Sequence, residues 1–425
     1  MDISPIRVKR SIWRKIRSLK DFCQIRKVVG KQEKALLSLK EKKTIKCVFM
    51  AIDISAWKYD EVVKRMNKDP RFETIILVCP MVNQGEKIML SKMKQAVSFY
   101  KEKGYNVISS YNESDGSYVN LRSELKPDIL FYTNPYYGMI DDRYYITNFT
   151  DILTVYVSYY FTCSIDMNFN TNVQLYNIVW RKYVENDYVK NICQKYARNH
   201  GRNVVVTGYP GIEALIDKHP HIDLFNKDNR KRIIWAPHHT LDECVYGHSC
   251  FIMYADFFLQ MAEKYKDDVI LIFKPHPLLK GKLYKVWGER RTLDYYEKWN
   301  MGTNTAINEG EYVNLFLSSD AMIHDSGSFV VEYLYVNKPV MRTINDIPLE
   351  KQFNEFALSC LDNYYKAYNE HDIEQFIQNV IKGVDSLKEQ RTKFVNEKLM
   401  PKGSPSQNII DDILDSIHNQ ILYRN

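Results

Sequence analysis

Short runs of apolar residues alternate along this chain with longer stretches in which apolar positions recur every three or four residues. Ile45–Ile54, Thr74–Val78, Tyr105–Ile108, Ile129–Tyr132, Asp151–Val157 and Asn203–Thr207 read as strands, and Lys58–Met66, Lys87–Glu102 and Val173–Cys193 as helices. The alternation breaks at Gly208-Tyr209-Pro210-Gly211 and through the polar stretch His219–Arg230, then resumes. Arg232–Ala236, Val269–Phe273, Ala321–His324 and a run from Pro339 to Thr343 are the strands of the second half. Phe251–Tyr265, Glu311–Leu317 and Phe329–Val336 are its helices, and the tail is helical over Ile373–Ile381, Leu387–Leu399 and Pro405–Leu422. Continuous apolar strands separated by helices predict parallel sheets covered on both faces. The expected architecture is therefore α/β, with two Rossmann-type, doubly wound domains facing a cleft. The expected boundaries are 44–208 and 231–400 for the domains, 209–230 for the linker and 401–425 for a last helix placed to pack back on the N-terminal domain.

The N-terminal segment departs from this pattern. Residues 6–29 place Ile12, Ile16, Leu19 and Cys23 at helical spacing, with Arg7, Arg14, Arg17, Lys20 and Lys27 around them. Residues 1–43 thus read as a basic amphipathic helical segment. Residues 1–46 carry 15 Lys and Arg against 4 Asp and Glu, so they account for more than the whole formal charge of +7. Such a helix either lies on an anionic membrane surface through residues 1–30 or packs on the body of the protein with its basic side solvated. Nucleic acid is not an expected partner, because no reader module accompanies the basic block.

Composition narrows the class. A chain of 425 residues, 45% apolar and 13% aromatic, is globular and suits two or three domains. No apolar run approaches the length of a membrane span, and the first thirty residues lack the apolar core of a signal peptide. Eight scattered cysteines without a CxxC pair are the usage of a reducing cytoplasm. The expected location is cytoplasmic, peripheral on the inner face of the cell membrane.

Candidate chemistry gathers at three predicted strand ends of the second half. These are Pro237-His238-His239, Lys274-Pro275-His276-Pro277 and His324-Asp325-Ser326-Gly327-Ser328. In open parallel sheets ligands bind beyond the carboxyl ends of the strands, so all three are expected in one crevice. Lys274 and His276 offer charge or hydrogen bonds to a diphosphate. Ser326 and Ser328 add hydroxyls where a helix begins, and Gly327 permits close backbone approach and positive φ. Glu332, one turn into that helix, is placed to accept from ribose hydroxyls. Asp325 or Ser326 alternatively serves only as a helix cap.

The combination WAPHH, FKPHP and DSGSFVVEYLYVNKPV resembles the CDP-glycerol glycerophosphotransferase family of teichoic acid and capsule polymerases, which have the GT-B fold. Gly208-Tyr209-Pro210 and Lys402-Gly403-Ser404 are similar to further family elements, and the resemblance spans about residues 200–420. It implies transfer of a glycerol or ribitol phosphate from a CDP-polyol to a hydroxyl of a glycan or lipid-linked acceptor, with release of CMP. On this chain His276, a catalytic candidate, would meet the donor diphosphate, and His238, Lys274 and Asp325 are further donor-binding candidates. Ser326, Gly327 and Ser328 would cradle its phosphates, and Glu332 would hold the ribose. No cofactor is implied beyond the nucleotide donor itself.

One departure matters. The family carries a His-Gly pair in its first half as the catalytic base, whereas the corresponding stretch here, Val155–Phe161, has no histidine. Tyr159 and Tyr160 stand there, and an ordinary tyrosine is a poor base at neutral pH. His239 and Asp53 are the substitutes the sequence offers. Two other readings stay open: a GT-B glycosyltransferase using a CMP- or UDP-sugar, and a nucleotide-binding GT-B module without catalysis. His238, His239, Cys244, His248 and Cys250 have metal-ligand side chains, but their spacing matches no zinc pattern, so no metal is expected. There is no Walker A loop and no GxGxxG.

Overall fold

The computed structural model describes residues 25–217, 228–241, 248–310 and 312–424. Most of the basic N-terminal segment, the linker centre and Cys244 therefore lie outside the described residues. The chain forms two compact units. One comprises the chain up to Tyr159, then Asp166–Gly211 and everything from Pro401 on; the other comprises Tyr160–Ile165 and Ile212–Met400.

The first unit is built on seven strands: β1 (Ile45–Ala51), β2 (Phe72–Val78), β3 (Val107–Ser109), β4 (Ile129–Tyr132), β5 (Leu153–Val157), β6 (Arg181–Val184) and β7 (Val204–Val206). All neighbours pair in parallel, in the order β3-β2-β1-β4-β5-β6-β7. β1, β4 and β5 are buried almost throughout, as strands covered on both faces must be. A helix over residues 25–38 belongs to this unit. Its Ile25, Val28, Gln32 and Leu36 recur at helical spacing and are buried, and Gln32 donates to the Ile178 carbonyl at 2.7 Å.

The stretch Val173–Cys193 corrects the sequence reading. It is not one helix but a short helix (Gln174–Ile178), the strand β6 and a second helix (Asp187–Tyr196). The Arg-Lys pair that disguised the strand is neutralised inside the fold. Arg181 is fully buried, donating to Asp412 Oδ2 at 2.9 Å and Ser416 Oγ at 2.7 Å. The Lys182 amine sits 4.0 Å over the Tyr176 ring and donates to the Asn170 carbonyl.

Asp412 and Ser416 belong to the helix Pro405–His418, whose Ile409, Ile410, Ile413 and Ile417 join the same core as Cys47 and Phe49 of β1. The chain thus returns to its first sheet at its far end. Ser404 caps this helix and Pro405 occupies its first turn, where a missing N–H costs nothing.

The second unit holds six strands: β8 (Lys231–Ala236), β9 (Val269–Phe273), β10 (Thr305–Ile307), β11 (Ala321–His324), β12 (Val340–Thr343) and β13 (Tyr365–Ala367). They are again all parallel, in the order β10-β9-β8-β11-β12-β13. The helices Leu279–Val286 and Glu289–Met301, the strand β10, the helix Glu355–Leu361 and the strand β13 were not anticipated from the sequence. Trp235 anchors the core of this unit, stacked on Phe251, Phe258 and Phe273 with ring centroids 5.5, 4.2 and 5.1 Å away. The expected helix Phe329–Val336 is one α-turn (Phe329–Glu332) that tightens to 3₁₀ over Tyr333–Val336. No helix among the described residues is long and apolar enough to cross a membrane.

Candidate active site

The strand order of the second unit reverses between β8 and β11, which makes their carboxyl ends the switch point of the sheet. Three loops meet there, and Asp325 joins two of them to its own turn. Its carboxylate accepts from the backbone N–H of His238 after β8, and at 2.6 Å from that of Cys250 at the start of the helix Phe251–Lys264. The side chain is 1% exposed. Burial raises its pKa to about 6 against the opposing pull of those amides and of Arg342. Asp325 is therefore a tie between loops and not a cap of the following helix. The third loop is held by backbone bonds: Lys274 N–H donates to the Trp235 carbonyl at 2.8 Å, and His276 N–H to the Pro237 carbonyl at 3.2 Å.

These ties bring four imidazoles together. Ring centroids of His238 and His239 lie 4.3 Å apart, those of His239 and His276 4.2 Å, those of His238 and His276 5.1 Å, and those of His238 and His248 5.2 Å. Burial lowers all four pKa values, joined by Lys282 at His239, by Arg342 and then His239 at His248, by His239 and Lys282 at His276, and by the other three rings and Arg342 at His238. Those of His239 and His248 fall to about 4, that of His276 to about 3, and that of His238 well below its ordinary value. The rings are thus neutral at physiological pH, and each presents one N–H and one lone pair.

Ligand atoms of His238, His239 and His276 lie within 4.8 Å of one another, close enough for a metal. The proton arrangement argues for an anion instead. His276 Nδ1 accepts from the Leu278 N–H at 3.1 Å, which leaves the proton on Nε2, the atom a metal would need bare. His239 Nδ1 is buried without a hydrogen-bond partner among the described residues.

The turn after β11 supplies the rest. Ser326 Oγ accepts from the Ser328 N–H at 3.3 Å, and Arg342, at the end of β12, donates to the Ser326 carbonyl at 3.2 Å. Arg342 is 2% exposed, and its Nε has no partner among the described residues. Gly327 does not adopt positive φ, contrary to the expectation from sequence. What it provides is space: among the described residues a Cβ there would meet only His248 Nε2, at 3.8 Å.

The remaining candidates are placed less openly. The Lys274 amine is used by Asn308 Oδ1 and the Gly310 carbonyl, both at 2.9 Å, so it steadies the loop after β10. Glu332 is 2% exposed and does not present its carboxylate to solvent. In the first unit, Asp53 caps the turn Ile54–Ala56 and pairs with the Lys92 amine at 2.7 Å, which with Ser55 holds its carboxyl below the usual range against burial. Tyr159, in the stretch where the family pattern has histidine, is pushed well up by burial and by Tyr136. Neither is a ready base. Sequence reasoning passed over Arg342, and set His248 aside with the metal candidates. An arginine ending a buried parallel strand was the available signal for the first, and the second had none beyond being a histidine.

No curated protein sequence matches the chain. In fold it is similar to the wall teichoic acid polymerase TagF, at TM-score 0.55 and 15% identity, over 97% of this chain and 98% of that one. It is likewise similar to the S. aureus MnaA–UDP structure, at TM-score 0.54 and 16% identity, over 90% and 99% of the two chains. A third likeness is to the UDP-GlcNAc 2-epimerase of Neisseria meningitidis bound to UDP-GlcNAc, at TM-score 0.53 and 15% identity, over 88% and 100%. At such identities the likeness is one of fold, and it places the two Rossmann-type units in the GT-B class. The model of the CDP-glycerol:poly(glycerophosphate) glycerophosphotransferase family matches residues 156–403, beginning and ending earlier than the quoted motifs implied. That match takes in more than half of the chain and every strand end of the histidine site, and the chain accordingly belongs to the CDP-glycerol:poly(glycerophosphate) glycerophosphotransferase family, as a transferase of that type.

Proposed function

We propose that the chain moves a glycerol or ribitol phosphate from a CDP-polyol to a hydroxyl of a surface glycan or teichoic-acid-like acceptor, releasing CMP. The observation that carries this reading is the convergence of His238, His239 and His276 at the ends of β8 and β9, beside the Ser326–Ser328 turn. Neutral imidazole N–H groups and serine hydroxyls on loops tied by backbone bonds suit a diphosphate, whose transfer chemistry needs alignment and charge stabilisation above all. In this reading His276 Nε2 donates to the diphosphate, and Ser326, Gly327 and Ser328 line its phosphates. Arg342 holds the turn and adds positive charge behind it.

Purified protein incubated with poly(glycerol phosphate) and, in turn, CDP-glycerol, CDP-ribitol, CMP-sugars and UDP-sugars provides the test. CMP released from the CDP-polyols alone is the expected result. Release from sugar donors alone would make the chain a glycosyltransferase, and tight nucleotide binding without turnover would make it a binding module. His276→Ala should weaken CDP-polyol binding on the order of ten- to a hundredfold, the worth of one hydrogen bond to a charged group, with the melting curve preserved.

The reading includes a place of action at the inner face of the membrane, reached through the basic segment. Deleting residues 1–24 should lower retention on anionic vesicles several-fold in a sedimentation assay and leave turnover of soluble substrates intact. The cut stops short of Ile25 and Val28 because both are buried in the first unit.

A further inference from the structure

His248 is the imidazole that the donor-binding arrangement leaves over. Its ring lies against Phe353, with centroids 5.0 Å apart and planes 24° from parallel. Its backbone N–H donates to Thr240 Oγ1 at 2.9 Å. Its Nδ1 is 2.5 Å from Gln352 Oε1. The orientation of that amide is set from its other end, because Gln352 Nε2 donates to the Ile347 carbonyl at 2.7 Å and to Asn345 Oδ1 at 3.3 Å. Gln352 is 2% exposed and has no freedom to turn over. An amide oxygen only accepts, so Nδ1 carries the proton and Nε2 carries the lone pair. That lone pair sits beside Gly327, in the middle of the turn assigned to the donor phosphates.

His276 has the opposite arrangement, with Nδ1 accepting from Leu278 and Nε2 donating. One site thus contains two neutral imidazoles whose free nitrogens differ in kind, one a hydrogen-bond donor and the other a proton acceptor. Phosphoryl transfer to a hydroxyl requires both. None of the other candidate bases has an accepting lone pair fixed in this way. Asp53 is bound to Lys92, Tyr159 is pushed away from ionisation, and His239 has no neighbour that fixes its tautomer among the described residues.

We propose that His248 Nε2 is the proton acceptor of the transfer and that Gln352 is the positioning residue that keeps it in the accepting tautomer. The inference rests on the transferase reading. As the acceptor oxygen bonds to the polyol-side phosphorus of the CDP-polyol, its proton passes to His248 Nε2. The bond from that phosphorus to the bridging oxygen breaks, and its electron pair leaves with CMP. Nothing is oxidised or reduced.

The charges around the ring give the step a dependence on donor. Facing His248 are Arg342 from β12, His238 and His239 from the end of β8, and the neutral Gln352. Burial and Arg342 hold His248 down to about 4. A bound diphosphate brings negative charge to the same turn and opposes Arg342, so the ring becomes a competent base when the donor is present.

Full-length protein assayed with CDP-glycerol and poly(glycerol phosphate) tests this. His248→Gln should keep CDP-glycerol affinity within threefold by calorimetry and lower kcat on the order of a hundred- to ten-thousandfold. Gln352→Glu places a carboxylate on the Nδ1 proton and should move the acid limb of the kcat–pH profile up by about one unit, an effect no purely structural role would give. The proposal falls if His248→Gln turns over within threefold of wild type, or if Gln352→Glu leaves the acid limb where it was. A wild-type protein that releases no CMP overturns the transferase reading, and this inference with it. Active wild type beside an equally active His248→Gln overturns this inference alone.

Discussion

At Gly327 the effect of a side chain on folding can be separated from its effect on turnover. Its backbone conformation is not in the positive-φ region, and among the described residues a methyl group would touch only His248 Nε2 at 3.8 Å, an ordinary contact. Gly327→Ala should therefore fold at least as well as wild type, and by restricting the unfolded chain it should gain up to about 1 kcal/mol. The same methyl group would stand where the donor phosphates are assigned, so turnover should fall at least tenfold. Calorimetric melting and CMP release on one preparation check the pair, and loss of both stability and activity would contradict it. At this scale the sequence was legible in part. It identified the histidines, the serines and Asp325 because they fall at strand ends. It did not reveal that Asp325 is consumed by two backbone amides, or that Lys274 is consumed by Asn308 and Gly310, because those partners are distant in sequence.

Among the elements, β6 is the one whose sequence misled. Arg-Lys-Tyr-Val resembles the solvated face of a helix until Arg181 is seen against the helix Pro405–His418. There Asp412 accepts from Arg181 and Tyr183 and also pairs with Arg424. Removing the carboxylate by Asp412→Ala leaves a buried guanidinium uncompensated and should cost about 3–5 kcal/mol in chemical denaturation. Asp411, on the same helix but exposed, serves as a control and should change stability by less than about 0.5 kcal/mol when made alanine. The apolar strands β1, β4, β8, β9 and β11 were read from sequence because continuous apolar runs bounded by turns have few alternatives. The short edge strands β10 and β13 were not, since three residues at a sheet margin leave too little pattern to detect.

For the whole molecule, the histidine site sets a pH limit. His238, His239, His248 and His276 have folded pKa values below their unfolded ones. The unfolded chain therefore binds protons first as pH drops, and the contribution of these rings, complete above about 6.5, is lost as pH falls towards about 4. Asp325 works the other way: its folded pKa of about 6 favours the fold at low pH, and that gain disappears as pH rises through 6. Four rings outweigh one carboxyl, so the melting temperature should drop steadily from pH 6.5 to pH 4.5. His276→Asn should flatten that slope, and an unchanged slope would show that the ring is not held neutral.

The return of Pro405–His418 to the first sheet has a bearing on synthesis. Ribosomes deliver β1 more than three hundred residues before Ile409, Ile410, Ile413 and Ile417, which complete the core around Cys47 and Phe49. A nascent chain holding every strand of that sheet still exposes an oily stripe where those isoleucines will rest. The lobe encoded in the middle, Ile212–Met400, can close while its elder neighbour waits. Birth order and maturation order are thus inverted, and chaperones have most reason to attend to the part made first.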